Sequence, residues 1–182
     1  PEWSRERSTA QYLDAVSDVR AVQTFGRRYV FADLEQQEHG VNVRANITFS
    51  PALTLELYAR PFFGNGRFDN PKELVAPRTF NFARYENIGT VESDDHTWSI
   101  DPDGAGPASS FEIDDDDFTF RSLRGNAVLR WEWRAGSTLF LVWQQEREEE
   151  VALGDLRLGR DFRRLGAAPA RNVLMMKVSY WL

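Results

Sequence analysis

The sequence contains no cysteine among its 182 residues. This absence excludes a disulfide-stabilised scaffold, a zinc site with thiolate ligands and a cysteine nucleophile. The two histidines, His39 and His96, lie far apart in the chain, so no paired histidine spacing indicates a zinc site. No run of residues approaches 18 consecutive apolar positions, and a transmembrane helix is therefore not predicted.

Sequence motifs typical of common enzymes are missing as well. There is no G-x-S-x-G elbow for a hydrolase, and neither a G-x-G-x-x-G turn nor a Walker-type phosphate loop is present. We therefore expect a protein that is not an enzyme and that carries no organic cofactor. The net charge of -6 argues against nucleic acid as a partner, because nucleic-acid binding needs a basic face.

The sequence has strong alternation of apolar and polar residues. Hydrophobic residues make up 42% of the chain, which excludes a disordered composition, while the mean hydropathy is only -0.50. In "GVNVRANITFSPALTLELYARPFF" every second residue is apolar on both sides of Ser50-Pro51, which predicts two strands and a tight turn. Similar strands are predicted at 27–37, 118–134, 138–146 and 172–182, the last with Leu182 on its apolar side.

The connections between these strands differ in length. Short turns are predicted at 38–40, 50–52 and 134–137, and long loops at 64–118 and 148–170. With successive strands antiparallel, both long loops fall on one side, as in outer-membrane barrels. We therefore predict an all-β fold, an antiparallel up-and-down meander that is part of an outer-membrane β-barrel. Residues 1–26 are assigned as a leading segment or linker, and residues 27–182 as the barrel region.

Aromatic and charged residues fit this interpretation. The aromatics expected at one level, as an interfacial girdle on the short-turn side, are Phe49, Trp131, Trp133, Tyr180 and Trp181. The charged residues expected to face a lumen are Arg44, Glu56, Arg60, Arg130, Glu132, Arg134 and Lys177. The alternative interpretation is a soluble sandwich, with these aromatics in its core and these charges in solvent.

Six strands are fewer than the eight of the smallest closed barrels. The missing strands are expected from residues 1–26 and 64–118, from other chains, or from a part of the same protein upstream of Pro1, which we consider the best explanation.

One acidic segment has the spacing of a metal loop. In "SIDPDGAGP", Asp101 and Asp103 precede Gly104, as at the start of a calcium loop, because Ca²⁺ binds several hard oxygen ligands. Gly106 and Glu112 occupy the sixth and twelfth positions of such a loop, although no helical frame flanks it. Ca²⁺ at Asp101 and Asp103 is the metal hypothesis, and a solvated acidic loop is the favoured alternative. The run 114–117 is expected to keep the loop soluble.

Several stretches resemble the C-terminal region of a bacterial outer-membrane family of unknown function. They are "FGRRYVFADLEQQ", "RANITFSPALTLELYARPFF", "DPDGAGP", "FTFRSLRGNAVLRWEWRAGSTLFLVW" and "KVSYWL". The resemblance covers roughly residues 25–182. Members of that family carry an N-terminal carbohydrate-binding-like module of the family-nine type, followed by a predicted β-barrel. The resemblance implies a cell-surface location and glycan contact, and it implies no catalytic residues.

These observations predict a non-catalytic part of a bacterial outer-membrane barrel, with a structural, transport or glycan-associated role at the cell surface. The expected partners are outer-membrane lipid, glycan, and other chains or an upstream part of the same protein. The alternative is a soluble or extracellular β-sheet protein. Such a protein would bind carbohydrate, with Trp98 and Asp103 as the residues to test, or would self-assemble through its strand edges.

Overall fold

The computed structural model describes residues 1–181, and the predicted position of Leu182 lies outside them. The chain forms two antiparallel sheets, one of eight strands and one of three. The strands of the large sheet are β1 (Glu2–Ser17), β2 (Arg27–Gly40), β3 (Val43–Ser50), β4 (Leu53–Leu74), β5 (Phe82–Arg84), β9 (Phe118–Arg134), β10 (Ser137–Val151) and β11 (Ala170–Ser179). The small sheet contains β6 (Thr90–Asp94), β7 (Thr97–Asp101) and β8 (Phe111–Asp114).

The helices are short and lie in the connections. A 3-10 helix spans Val22–Thr24, α1 spans Tyr85–Ile88, and α2 spans Leu158–Ala167. The large sheet has the order β1-β2-β4-β9-β10-β11, with β3 and β5 paired to β4. All pairings are antiparallel, as predicted, but β2 and β3 both pair with β4 and not with each other, which differs from the predicted up-and-down order. Within the described residues the sheet has free edges and does not close into a barrel.

Strands β2 and β3 lie in one line along β4, and the predicted turn at 38–40 is wrong. Gly40 pairs with Phe62 and Val43 pairs with Ala59, so the register is unbroken across the gap. The Val41 N–H still donates to the carbonyl of Pro61, at 3.2 Å. The gap in the ladder reflects Pro61, which has no N–H to donate. Glu38, His39 and Gly40, which resemble a turn in the sequence, therefore lie within a strand.

Residues 2–17 belong to the same sheet, and the prediction of a leading segment or linker over 1–26 is corrected accordingly. Strand β1 pairs antiparallel with β2 from Glu2 opposite Gly40 to Ser17 opposite Arg27. The register shifts twice, between Ser8 and Gln11 and between Tyr12 and Asp14. Each bulge moves the following side chains to the other face, and this hides the period of two in the sequence.

The two predicted long loops are shorter than 64–118 and 148–170. Strand β4 continues to Leu74, and Gly66 does not end it. This glycine serves cross-strand packing, because a Cβ there would overlap the Phe118 ring. The small sheet then occupies much of the remaining insert, and β10 continues to Val151 before α2. The predicted arrangement is kept, since 51–52 and 135–136 lie at one end of the sheet and all longer connections at the other. We call these the turn end and the loop end.

The buried core lies at the loop end. Val30 and Ala32 of β2 pack against Tyr85 of α1 and against the small sheet, which contributes Trp98, Ile100 and Ile113. At the turn end, by contrast, β3 and β11 are almost wholly exposed. The sheet is thus anchored at one end and uncovered at the other.

Candidate functional site

The turn-end half of the sheet has one apolar and one polar face. Residues directly opposite each other on neighbouring strands share a face, so the register assigns each paired side chain, and alternation along the chain assigns the few unpaired ones. One row runs from Leu57 through Ala127 and Trp143 to Leu174. The apolar face consists of Val41, Val43, Ala45, Ile47, Phe49, Leu53, Leu55, Leu57, Ala59, Pro61, Leu123, Gly125, Ala127, Leu129, Trp131, Trp133, Leu139, Leu141, Trp143, Leu174, Met176, Val178 and Tyr180.

Much of this apolar face is open to solvent in the isolated chain. Leu174 is 74% exposed and Met176 is 70% exposed, and Trp131 and Trp143 are each nearly half exposed. Monomeric soluble proteins rarely expose contiguous apolar patches beyond a few hundred Å². A face of this kind therefore marks a surface that is covered by something else.

The apolar face has a defined height. Along β3 and the two residues before it, the face runs over the nine positions 41–49, and its polar interruptions, Gln145 and Asn172, lie near the loop end. A strand that crosses a bilayer at a tilt needs about 9–11 residues. The five predicted girdle aromatics lie toward the turn end: Trp131 pairs with Leu53 and Leu139, and the others are Phe49, Trp133, Tyr180 and Trp181.

The opposite face is polar over most of its area. Arg60 donates to Glu2 at 3.0 Å, Arg124 to Glu146 at 3.1 Å, and Arg130 to Glu132 at 2.9 Å. The register places six of the seven predicted lumen charges on this face, and the seventh, Arg134, lies at the register shift beside the β9–β10 turn, opposite Ser137. Apolar side chains interrupt it near the β11 edge, and they are Val128, Phe140, Val142, Val173 and Met175.

We call the exposed part of the apolar face the apolar band. Helix α2 covers the same side of the sheet just beyond this band, toward the loop end. Arg121 of β9 donates from Nε to Oδ1 of Asp161 at 2.8 Å, and neither side chain has solvent exposure. The Phe63 and Phe162 rings meet edge to face, with centroids 4.6 Å apart. Arg147 donates to the carbonyls of Gly166 and Ala168. The helix is therefore held by both packing and charge.

The Asp161 carboxylate is the electrostatic centre of this contact. Burial alone would raise the pKa of Asp161, but hydrogen bonds from Arg160, from the Arg157 N–H and from Arg121 outweigh it and hold the pKa below its ordinary value. Asp161 is thus ionised at neutral pH, and it satisfies the buried Nε donor of Arg121, which would otherwise be costly.

The insert between β4 and β9 packs on the polar side of the sheet at the loop end. Its core includes Trp98, which is only 6% exposed, and Tyr85, whose hydroxyl donates to Glu73 at 3.2 Å. Trp98 is therefore a packing residue of this core, and carbohydrate binding with Trp98 and Asp103 stays a prediction. The insert and α2 cover opposite faces of the same end.

Of the predicted calcium residues, Asp101 ends β7 and Asp103 lies in the loop that follows. The Asp101 carboxylate accepts the N–H of Asp103 at 3.3 Å, and Asp103 Oδ2 accepts the N–H of Ala108 at 3.0 Å. Both carboxylates thus close their own loop. Over residues 1–181, no group of three or more acidic, histidine or cysteine side chains is arranged to hold a metal ion. Binding of Ca²⁺ at Asp101 and Asp103 stays a prediction.

An acidic cleft lies between the insert and the end of β10. It has a volume of about 530 Å³ and is lined by Asp95, His96, the run 114–117 and Glu150. Burial raises the pKa of Asp117 and of Asp116, with neighbouring aspartates adding to it, although a hydrogen bond from the Phe68 N–H opposes this at Asp117. The His96 ring lies 3.5 Å from Asp115. The aspartates that line the cleft repel one another, which favours the protonated form of Asp116.

Sequence reasoning missed the Arg121–Asp161 pair and α2. The only local signal was the pattern "LGRDFRRLGA", with apolar residues three or four positions apart, which is typical of an amphipathic helix. It was obscured by the charge density of the segment.

Comparison with protein families gives one match. A family model described as "Domain of unknown function (DUF5916)" matches residues 3–182. The chain belongs to the DUF5916 family. No curated protein and no solved structure matches it. Within residues 1–181 of this DUF5916 chain, no helix is long and apolar enough to cross a membrane.

Proposed function

We propose that this DUF5916 chain forms part of the wall of a bacterial outer-membrane β-barrel, in a non-catalytic structural, transport or glycan-associated role. The observation that carries the proposal is the exposed apolar face across β3, β4, β9, β10 and β11. Leaving a large apolar side chain in water forgoes about 1.5–3 kcal/mol of burial free energy. Lipid acyl chains cover such a face without a complementary protein surface.

The opposite chemistry of the two faces supports the same conclusion. In a transmembrane barrel, lipid-facing apolar residues alternate with polar residues that face the lumen. Here the ion pairs of Arg60, Arg124 and Arg130 lie on one face and the exposed Leu, Met and Trp side chains on the other. Short connections at one end and long ones at the other are also typical of these barrels.

A wall of this kind would need partners for the free edges of the sheet. In the apolar band β3 and β11 are the outer strands, and the described residues supply no partner for either outer edge. Unpaired backbone groups are costly in lipid, so both edges need strand partners. We propose that an upstream part of the same protein or other chains supply them. Self-assembly through these edges outside a membrane is the competing function.

The absence of cysteine allows a direct test. Single cysteines are introduced at each position from Val173 to Val178 in the full-length protein and labelled with a fluorophore. Quenching is then measured in membranes with lipids brominated in their acyl chains and with aqueous iodide. We expect lipid quenching at 174, 176 and 178 and weaker lipid quenching at 173, 175 and 177. Ser99→Cys, in the exposed part of β7, is the aqueous control.

A different result would overturn the proposal. A protein that stays soluble without detergent, with no lipid quenching at any of the six positions, excludes a membrane wall. If the even positions are then shielded from iodide as well, the apolar face is covered by protein. In that case edge-mediated assembly becomes the better explanation.

A further inference from the structure

Helix α2 lies where the apolar face meets the polar surface of the loop end. Arg147 pairs across the sheet with Leu123 and contacts the last turn of the helix. Arg121, two residues before Leu123 in β9 and closer to the loop end, contacts Asp161. Leu123 and Pro61 end the exposed apolar face in this direction, since Phe63, the next apolar residue on this face, is buried beneath the helix. If the band is the hydrocarbon layer, the helix lies at the level of the lipid head groups.

The helix is firmly placed there by residues other than its outer arginines. Asp161, Leu165 and Ala168 are buried against the sheet. Leu158 and Phe162 stay about half exposed, so the helix keeps apolar surface next to the band. Interfacial helices have this combination of exposed apolar and basic residues.

The charge of the connection contrasts with that of the whole chain. Residues 152–169 contain four arginines and two aspartates, whereas the chain has a net charge of -6. Arg157 and Arg160 are paired with Asp155. Arg163 and Arg164 form no ion pair with any residue in the described chain, and both are exposed. Arg163 donates from Nε to the Gly159 carbonyl at 3.2 Å, which leaves its two terminal nitrogens and the whole Arg164 guanidinium without a partner in the described chain.

We propose that α2 binds anionic, phosphate-bearing lipid head groups through Arg163 and Arg164. This inference rests on the proposed membrane function and adds its lipid partner. A guanidinium group matches a phosphate with two parallel hydrogen bonds, and it is weakly hydrated, which suits an interface. The neighbouring Leu158 and Phe162 contact the upper part of the acyl chains.

The test measures lipid selectivity in the full-length protein reconstituted in phosphatidylcholine nanodiscs. Electron paramagnetic resonance of spin-labelled phosphatidic acid and of spin-labelled phosphatidylcholine gives the relative affinity of the protein for the anionic lipid. We expect Arg163→Gln with Arg164→Gln to lower this relative affinity by roughly fivefold per arginine at low salt. Arg163→Lys with Arg164→Lys should retain most of it, since the charge remains.

A matched control removes the same charge elsewhere. Arg20 and Arg78 are exposed arginines in other loop-end connections, and Arg20→Gln with Arg78→Gln should leave the selectivity unchanged. Equal losses in both double variants, or no loss in the Arg163/Arg164 variant, would overturn the lipid site. The cysteine-labelling pattern of β11 separates this from failure of the membrane function. If lipid quenching is present but selectivity is unaltered, only the lipid site is wrong; if quenching is absent, both are wrong.

Discussion

Arg121 and Asp161 form a fully buried ion pair that joins strand β9 to helix α2, with Nε 2.8 Å from Oδ1. The same guanidinium also contacts Glu149 through Nη1, at 2.6 Å. The strand and the helix are 40 residues apart in the chain, so this pair is a tertiary contact that fixes the long connection over the sheet.

Removing one partner of this pair should destabilise the docked helix strongly. We expect Asp161→Asn to cost about 3–5 kcal/mol, because it leaves the Arg121 charge buried without its main partner. Hydrogen exchange of the 152–169 amides measures the loss. Arg157→Gln, which breaks the exposed pair with Asp155, is the control and should cost less than about 1 kcal/mol. Similar costs for both variants would contradict this role.

The docking of α2 should depend on pH in the acidic range. The pKa of Asp161 is lowered in the folded protein. Its contribution to stability is therefore complete above the ordinary aspartate pKa of about 4 and is lost as the pH falls through the lower, folded value. Limited proteolysis of 152–169 between about pH 2 and 6 checks this, since cleavage should rise toward the acidic end. Asp161→Asn should flatten this dependence, and a wild-type profile in that variant would refute the assignment.

Adjacent residues of β11 should respond oppositely to a charge. Leu174 lies at the middle of the apolar band, in the row with Leu57, whereas Val173 lies on the polar face. We expect Leu174→Lys to cost about 2–4 kcal/mol of stability in the membrane and Val173→Lys much less. Denaturant unfolding in lipid vesicles, followed by heat-modifiable mobility, gives both values. Equal tolerance of the two lysines would exclude lipid contact at Leu174.

The insert should depend on its aromatic core. Trp98→Ala removes a buried side chain from the small sheet and should destabilise the insert by about 3–5 kcal/mol. Proteolysis within 75–117 should increase while the β9–β10 hairpin stays protected. Trp131→Ala is the control, because this exposed residue packs outside that core. Unchanged proteolysis in Trp98→Ala would mean that the small sheet is held by other contacts.

Alkaline pH should also weaken the insert. Burial, with the nearby Glu73 carboxylate, raises the pKa of Tyr85 far above its ordinary value, although Arg28 opposes this. A raised pKa means that the unfolded tyrosine ionises first, so stability is complete below about pH 10 and falls above it. Absorbance at 295 nm should show Tyr85 ionising only as the protein unfolds. Tyr85→Phe should remove this late step, and its persistence would assign it to another tyrosine.

The sequence alone determined the strands at the turn end and the two faces of the sheet. The period of two is a local property, so "VRANITF" and "LTLELYA" specify which side chains share a face before any pairing is known. The short turns at 50–52 and 134–137 followed from the same pattern, and they are confirmed. These features need only neighbouring residues.

The loop end was decided by tertiary structure. Bulges in β1 shift side chains between faces, and the glycines of β4 serve a neighbouring strand, so local patterns there indicate linker and loop. Trp98 and Asp161 lie in polar, charged segments of the sequence that are typical of a surface, but each is buried by an element distant in sequence. Local alternation records which face a strand residue occupies. Only long-range packing decides which part of that face is covered by protein and which part is left exposed.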